Sequence, residues 1–448
     1  MNNDIRAAID NGRLSRFQKI AIGICVILNM LDGFDVLVMA FTATSVAEEW
    51  NLSGAETGLL LSAGLFGMAA GALFVAPWAD QFGRRPLILT CVSTAGLGML
   101  LSAYAQGPLQ LGALRIITGL GIGGILASSN VIAAEYANKR WRGLAVSLQS
   151  TGYALGATIG GLAAAQILAH LGWRWVFLSG GVATLATLPL ILWRLPESID
   201  FLLARQPRNA LRRINKLADS IGQQPIEALP AQQQSGKQAL HHSIGQLLAP
   251  GLMWQTLRLW ASFFLVMFGF YFIMSWTPRL LVEFGLSTEL GVTGGALLSL
   301  GGILGTALVG TLSSRYQLHY LLSAFMVLTS SLLVIFGFTA SNLMLALGVA
   351  TLIGIVANGC IAGMYALGTS IYSPAIRATG LGWAIGIGRI GAICSPILAG
   401  LMLDLSVSAA LLYASFSSAF LLAAVVVWKC GAPAPRTRYN LSISNAGR

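Results

Sequence analysis

Apolar runs of about twenty residues recur along the chain, parted by short polar stretches. Their approximate limits are 20–44, 56–79, 86–106, 108–131, 144–168, 173–193, 257–277, 289–312, 319–339, 343–368, 377–403 and 407–428. Each is long enough to cross ~30 Å of hydrocarbon as a helix. None alternates with the period of two that a barrel strand needs, so the pattern predicts helices. Twelve spans predict an all-α polytopic membrane protein with both termini on one side. One long polar interruption, 195–256, divides the spans six and six. The expected plan is a leading segment 1–19, a bundle 20–194, a central loop 195–256, a second bundle 257–428 and a tail 429–448.

Composition agrees. The chain is 56% hydrophobic and 10% charged, against about 25% charged for a soluble domain. Mean hydropathy is +0.74. The first apolar run is too long for a cleaved signal peptide and no small-residue cleavage site follows it closely, so it is read as the first helix. Five cysteines form no CxxC pair and fall mostly within apolar runs, which makes them packing residues. The histidines are scattered, apart from His241-His242 in the central loop. No metal or other cofactor is expected. No nucleophile–base or metal-ligand constellation stands out, which argues against an enzyme.

The net charge of +11 changes meaning once it is placed along the chain. On the twelve-span plan, 23 of the 27 basic residues lie on the side of the termini. Only Arg174 and Arg279 lie opposite, and Arg115 and Arg389 lie inside spans. This asymmetry is the positive-inside signal, so both ends are expected in the cytoplasm. The charge reports topology and contact with anionic lipid, not a nucleic-acid partner. The loop sequence 196–217 places Phe201, Leu202, Leu203, Ala210, Leu211, Ile214 and Leu217 on one face of surface helices and Arg205, Arg208, Arg212 and Arg213 on the other.

Charges inside spans are the candidate chemistry. Asp32 and Asp35 lie 12 and 15 residues past Ile20, roughly 18–22 Å into the membrane at ~1.5 Å per residue. A spacing of three puts them on one face. An acid at that depth costs at least ~2.5 kcal/mol on insertion scales, and persists where it meets a partner or a water-filled cavity. Burial and a neighbouring carboxylate both help a carboxyl keep its proton. The pair is therefore expected to take up and release the coupling proton; the plainer alternative is a staple between helices. Arg389, about twelve residues into the eleventh span, offers a bidentate fork for a carboxylate, either the substrate's or a neighbour's.

Near the side of the termini, Asp80, Arg84, Arg85, Glu135 and Arg142 are expected to form a gate of exchangeable ion pairs. Membrane anchoring alone would account for Arg84 and Arg85 but not for Asp80 or Glu135. Arg377 is either a gate residue or an interfacial anchor. His319 is either a pH-sensitive group or an interfacial polar residue. Phe34, Tyr153, Phe270, Tyr271, Trp276, Tyr365 and Trp383 could stack on a ring, with Tyr365 and Trp383 preferred. Gly119 and Gly123, and the series Gly380, Ala384, Gly388 and Ala392, are stripes for close helix packing. GLGIGG (119–124) has a dinucleotide-fingerprint spacing, but no strand precedes it, so the match is coincidental.

The halves echo each other. WRGLAVSLQSTG (141–152) and ATGLGWAIGIGR (378–389) open the fifth and eleventh spans, with Gly143 and Gly380 offset by 237. Such repeats characterise secondary transporters. ADQFGRR (79–85) resembles the signature loop of the major facilitator superfamily, although Ala76 and Gln81 depart from its pattern. RIITGLGIGG (115–124) is similar to that family's arginine-plus-glycine pattern, and PESIDFLL (196–203) resembles a segment of sugar porters. DGFD (32–35), with YSPAIRATGLGWAIGIGRIGA (372–392), resembles the aromatic acid:proton symporter family over nearly the whole chain. The resemblance implies a proton-coupled importer of benzoate, a hydroxybenzoate or protocatechuate, working as a monomer, with Arg115 aiding coupling. A muconate-like dicarboxylate or a neutral metabolite remain the alternatives.

Overall fold

The structure, a computed structural model, describes residues 5–12, 14–220, 229, 245–339, 342–372 and 376–431. Twelve long apolar helices form its body. In the first half these are α1 (Arg16–Trp50), α2 (Gly54–Phe82), α3 (Arg84–Ser102), α4 (Pro108–Tyr136), α5 (Arg142–His170) and α6 (Trp173–Arg194). In the second they are α7 (Met253–Glu283), α8 (Thr288–Leu312), α9 (Leu318–Thr339), α10 (Leu343–Ile371), α11 (Arg377–Asp404) and α12 (Ala409–Trp428). The expected spans are all present, and several run further than the apolar pattern alone. With 35 residues, α1 is about 52 Å long at 1.5 Å per residue, so its polar ends project beyond the ~30 Å hydrocarbon core.

Each half packs as a bundle, with α1 on α5, α2 on α4 and α3 on α4, and likewise α7 on α11, α8 on α10 and α9 on α12. The halves meet through α2 against α11, α5 against α8, and α1 against α7. A two-fold operation that exchanges the halves carries the α2–α11 contact into the α8–α5 contact. This is the pseudo-symmetry that the repeated segments predict. The stripe of α4 works as expected: a Cβ on Gly119 would stand 2.8 Å from the Met68 nitrogen, and one on Gly123 would stand 2.7 Å from that of Ala72. The α11 stripe turns to α7, where Gly388 faces Met267 and Phe263, and Ala384 and Ala392 are fully buried.

Hydrogen bonds between described residues of the two halves cluster away from the termini, toward the end here called distal. Ser53 caps α2 through a reciprocal pair with Glu56. That capping box leaves the amides of Gly54 and Ala55 for another acceptor, and both donate to the Asp404 carboxylate at the end of α11, at 2.5 and 2.8 Å. A carboxylate at a helix N-terminus is a favourable placement. Ser62 then donates to the Ile393 carbonyl at 2.8 Å, and Thr158 to that of Ala296 at 3.4 Å. Phe41 of α1, 1% exposed, fills the space beside Gly161 and Gly295. At the opposite, terminal end, no ion pair joins the halves among the described residues.

The central loop holds helices Ile199–Arg205 and Ala210–Ser220. Leu202, Ala210, Ile214 and Leu217 are buried while Arg205, Arg208, Arg212 and Arg213 are exposed, as the amphipathic pattern predicts. The loop also ends earlier than expected, because α7 starts at Met253 rather than near 257. His241-His242, residues 373–375 of the eleventh-span motif and the tail from 432 lie outside the described residues.

Candidate functional site

The two α1 aspartates have different surroundings. Asp35 Oδ1 accepts a hydrogen bond from Arg115 Nη1 at 2.9 Å, with side chains 5% and 3% exposed. The second arm of Arg115 donates to Ser102 Oγ at 3.1 Å and Thr118 Oγ1 at 3.0 Å. Its guanidinium also stands 4.8 Å over the Phe177 ring. Both terminal nitrogens are thus engaged from within the first half, by α1, α3 and α4, with the ring supplied by α6; Arg115 Nε has no hydrogen-bond partner among the described residues. A buried cation in this setting is held by hydrogen bonds as well as by charge.

Asp32 is 4% exposed, and its Oδ2 has no hydrogen-bond partner among the described residues. Asp35, Cys91 and Tyr153 are its electrostatic neighbours. One α1 carboxylate is therefore spoken for and the other is not. The spacing of three places both on one face but does not distinguish them.

Arg389 of α11 lies between the halves, in the second one. Its Nη1 donates to the Tyr271 hydroxyl at 3.0 Å, and Tyr365 and Tyr153 are its other close electrostatic partners. No carboxylate lies within 4 Å of it among the described residues. Tyr153 comes from α5 and so brings the first half to this cation. A narrow cavity opens beside it, lined by Leu37 of α1, Tyr153, Ala154 and Ala157 of α5, Phe270, Tyr271 and Met274 of α7, Ser299 of α8 and Asn358 of α10. Both halves contribute to its wall, mostly with apolar and aromatic groups and a few polar ones, the usual make-up of a small-molecule site. Phe270 and Tyr271 meet edge to face at 5.6 Å. Asn358 spends its amide on the Gly354 carbonyl at 2.8 Å, and Ser299 its hydroxyl on Gly295 at 3.2 Å. Neither residue stands out by sequence reasoning, although an asparagine inside an apolar run is a usable signal.

Of the two preferred aromatics, Tyr365 lies beside Arg389 and packs edge-on to Phe263 at 5.7 Å. Trp383 does not line the cavity; it sits toward the terminal end of α11, 6.1 Å from Trp260 and 42% exposed. A tryptophan six residues before Arg389 is more than a helical turn and a half away from it, so the shared helix does not bring the two together.

The expected gate residues separate into distinct groups. Arg84 lies 3.6 Å from Asp80 and 3.8 Å from Glu135. Glu135 also accepts from the Ser198 hydroxyl and the Ile199 amide, each at 2.9 Å. Glu197 Oε1 accepts from the Arg84 and Arg85 amides at 2.8 and 3.1 Å, and the Arg85 guanidinium donates to the Leu192 carbonyl. Gly83, at φ 102°, makes this turn, and a Cβ there would strike the Glu197 carboxylate at 2.5 Å. The network therefore ties the signature loop to the segment after α6, inside one half. Arg142 stands apart from it: it pairs with Asp10 of the leading helix Ile5–Asn11. The chain turns sharply between α4 and α5, which removes the helical register that a seven-residue spacing would need. Arg377 is exposed and donates to the Tyr372 carbonyl at 3.4 Å, and His319 lies 4.1 Å from the Tyr320 ring.

Comparison with known proteins gives the architecture a family. The model of the Major Facilitator Superfamily matches residues 22–367. A gallate transporter of Pseudomonas putida is 34% identical over 415 residues, which covers 92% of this chain and 91% of the relative. The 4-hydroxybenzoate transporter PcaK of Pseudomonas aeruginosa is 31% identical and covers 90% of each. Among solved structures, the xylose transporter XylE from E. coli, in a partially occluded inward-open conformation, superposes with a TM-score of 0.70 at 19% identity, over 94% of this chain and 98% of that one. With two six-helix halves around a shared cavity and a family match across most of its length, this chain belongs to the major facilitator superfamily of membrane transporters.

Proposed function

We propose that the chain imports an aromatic carboxylate together with protons, across a bacterial inner membrane with both termini in the cytoplasm. The observation that carries this reading is Arg389, an intramembrane cation beside a cavity shared by the halves, with three tyrosines around it and no carboxylate within 4 Å among the described residues. An unpaired buried charge is costly. A substrate carboxylate supplies the missing partner, and the aromatic wall suits a ring. The similarity to transporters of gallate and 4-hydroxybenzoate supports the same class. Asp32, the α1 acid without a partner, is the proposed proton carrier, and Asp35 with Arg115 fixes the helices around it. One proton moving with a monoanion carries no net charge; a second would add ~2.3 kcal/mol per 100 mV of membrane potential.

In this orientation the distal end faces outward, and the contacts that join the halves lie on that outer side, which supports reading it as the closed side of an alternating-access cycle. Asp404 then latches the outer side. Asp404→Ala removes two charge-assisted hydrogen bonds of about 1.5–3 kcal/mol each. After partial compensation by water, the outward-facing population is expected to rise about 10- to 100-fold. Distances between spin labels on the distal ends of α2 and α11 would show it; an unchanged distribution would remove the latch role.

The transport reading is tested by uptake into proteoliposomes under an imposed inward pH gradient. The panel is gallate, 4-hydroxybenzoate, protocatechuate, benzoate, muconate and glucose, against Asp32→Asn and empty vesicles. Wild type should accumulate an aromatic acid, a protonophore should abolish this, and Asp32→Asn should accumulate at least tenfold less. Accumulation of glucose alone, or equal acid accumulation by Asp32→Asn, would refute it.

A further inference from the structure

Beside Asp32 lies a second set of buried polar groups with no place in the substrate site. Asn29, one turn closer to the terminal end of α1, is 2% exposed. Its amide donates to the Cys25 carbonyl at 3.1 Å, to Ser129 Oγ of α4 at 3.2 Å, and to Gln149 Oε1 of α5. Gln149 is itself 2% exposed and its Nε2 has no partner among the described residues. Ser128 of α4, 1% exposed, likewise has an orphaned hydroxyl. Together with Asp32 Oδ2, three orphaned polar atoms thus come from α1, α4 and α5 inside one half. Buried polar atoms in native folds are nearly always satisfied, by protein or by ordered water.

The cluster has a direction. From Asp35 toward the distal end, α1 buries Leu37, Val38, Met39, Ala40 and Phe41, an apolar plug. From Asp32 toward the terminal end, α1 buries Asn29 among its apolar residues, and Asn29 reaches Ser129, next to Ser128 on α4, and Gln149 on α5. Ser147 and Ser150, flanking Gln149 on α5, are exposed. The titratable or charged groups around Asp32 are Asp35, Arg115, Cys91 and Tyr153. Of these, Asp35 and Arg115 are held by each other, and Cys91 and Tyr153 lie on the neighbouring helices α3 and α5. On the distal side of Asp32 the nearest polar groups, Asp35 and Arg115, are engaged with each other, whereas toward the terminal end Gln149 Nε2 and Ser128 Oγ have no partner among the described residues.

We propose that Asn29, Gln149 and Ser128 order water into a relay that carries the proton from Asp32 to the terminal end, on a path through the first half that the substrate does not share. The inference rests on the transport reading above. The step is a proton transfer alone: the Asp32 O–H bond breaks, the carboxylate keeps the electron pair, and the proton passes along water to the cytoplasm. The amides gain and lose no proton. They hold water, and are positioning residues.

Uphill accumulation needs the proton released on every cycle, whereas exchange of labelled for unlabelled acid can proceed with the proton still bound. Asn29→Leu and Gln149→Leu, reconstituted as full chains, are expected to lower uphill accumulation at least tenfold while exchange stays within about threefold of wild type. Asn29→Ser, which can still hold water, should recover most of the loss. Ser128→Ala, which removes a hydroxyl without a protein partner and disturbs packing least, should lower accumulation several-fold and guards against misfolding of the leucine variants. Unchanged accumulation in Ser128→Ala and the leucine variants overturns the relay, as does a parallel fall of both activities. A wild-type chain that moves no acid in either assay overturns the transport reading, and the relay with it.

Discussion

Arg389→Gln is expected to weaken binding of the aromatic acid by about 30- to 700-fold. Among the described residues its guanidinium pairs with no carboxylate; the Tyr271 hydroxyl lies at 3.0 Å and two further tyrosines are nearby. Removing one partner of a buried, hydrogen-bonded charge pair costs about 2–4 kcal/mol, and each 1.4 kcal/mol is tenfold in affinity. Arg389→Lys keeps the charge but loses the planar fork, so it should fall between, at about tenfold. Tyr271→Phe removes a single neutral contact of about 1 kcal/mol and should cost about fivefold. Equilibrium binding to purified protein checks the series without requiring transport. A neutral substrate would make no use of the cation, so affinity indifferent to all three changes would reject a carboxylate at this site.

The second large effect is on stability. Arg115→Met strands the Asp35 carboxylate in a site 5% exposed, and Asp35→Leu strands the guanidinium. Breaking a buried pair from one side costs about 3–5 kcal/mol, while replacing both partners by apolar groups is often nearly neutral. Each single variant should therefore be markedly less stable, and the double variant should regain most of the loss. Thermal unfolding in detergent, arranged as a double-mutant cycle, measures this. Strict additivity of the two losses would mean that the 2.9 Å contact contributes no coupling. The rescued double variant then allows the pair's part in transport to be judged apart from its part in folding.

The spans were legible because each apolar run must satisfy its own backbone within the hydrocarbon, which leaves few alternatives to a helix. The intramembrane ions were legible for a related reason: Asp32, Asp35, Arg115 and Arg389 are conspicuous against apolar neighbours. Their partners were not. Asp35 and Arg115 are 80 residues apart in sequence, and only the packing of α1 beside α4 joins them. Glu135 finds the Ser198 hydroxyl and the Ile199 amide across 63 and 64 residues, instead of the nearby Arg142. Asp404 reads as an ordinary acid at the end of a span, because its partners are backbone amides of another half and backbone amides leave no mark on composition. Asn358 and Ser299 were hidden for the opposite reason, since single small polar residues are common enough in membrane helices to pass as packing.

The unequal division of charge between the two ends has a consequence for how a ligand arrives. Among the described residues, Glu48, Glu49, Glu56, Glu283, Glu289 and Asp404 lie at the distal end, against Arg174 and Arg279, so six acids less two bases leave a net charge of −4 there. Both arginines are already engaged, Arg174 with Glu49 at 2.7 Å and Arg279 with Glu283 at 3.6 Å. On the proposed orientation, an organic anion nearing this face from outside travels up a repulsive field rather than down an attractive one. Over distances beyond the ~8 Å Debye length at physiological salt, that field is largely screened. On that reading capture is left to short-range contacts within the cavity, and the screened field does not tell one anion from another. Selectivity for one acid over another must then arise after encounter, in the fit of the ring and its carboxylate, and not in the approach.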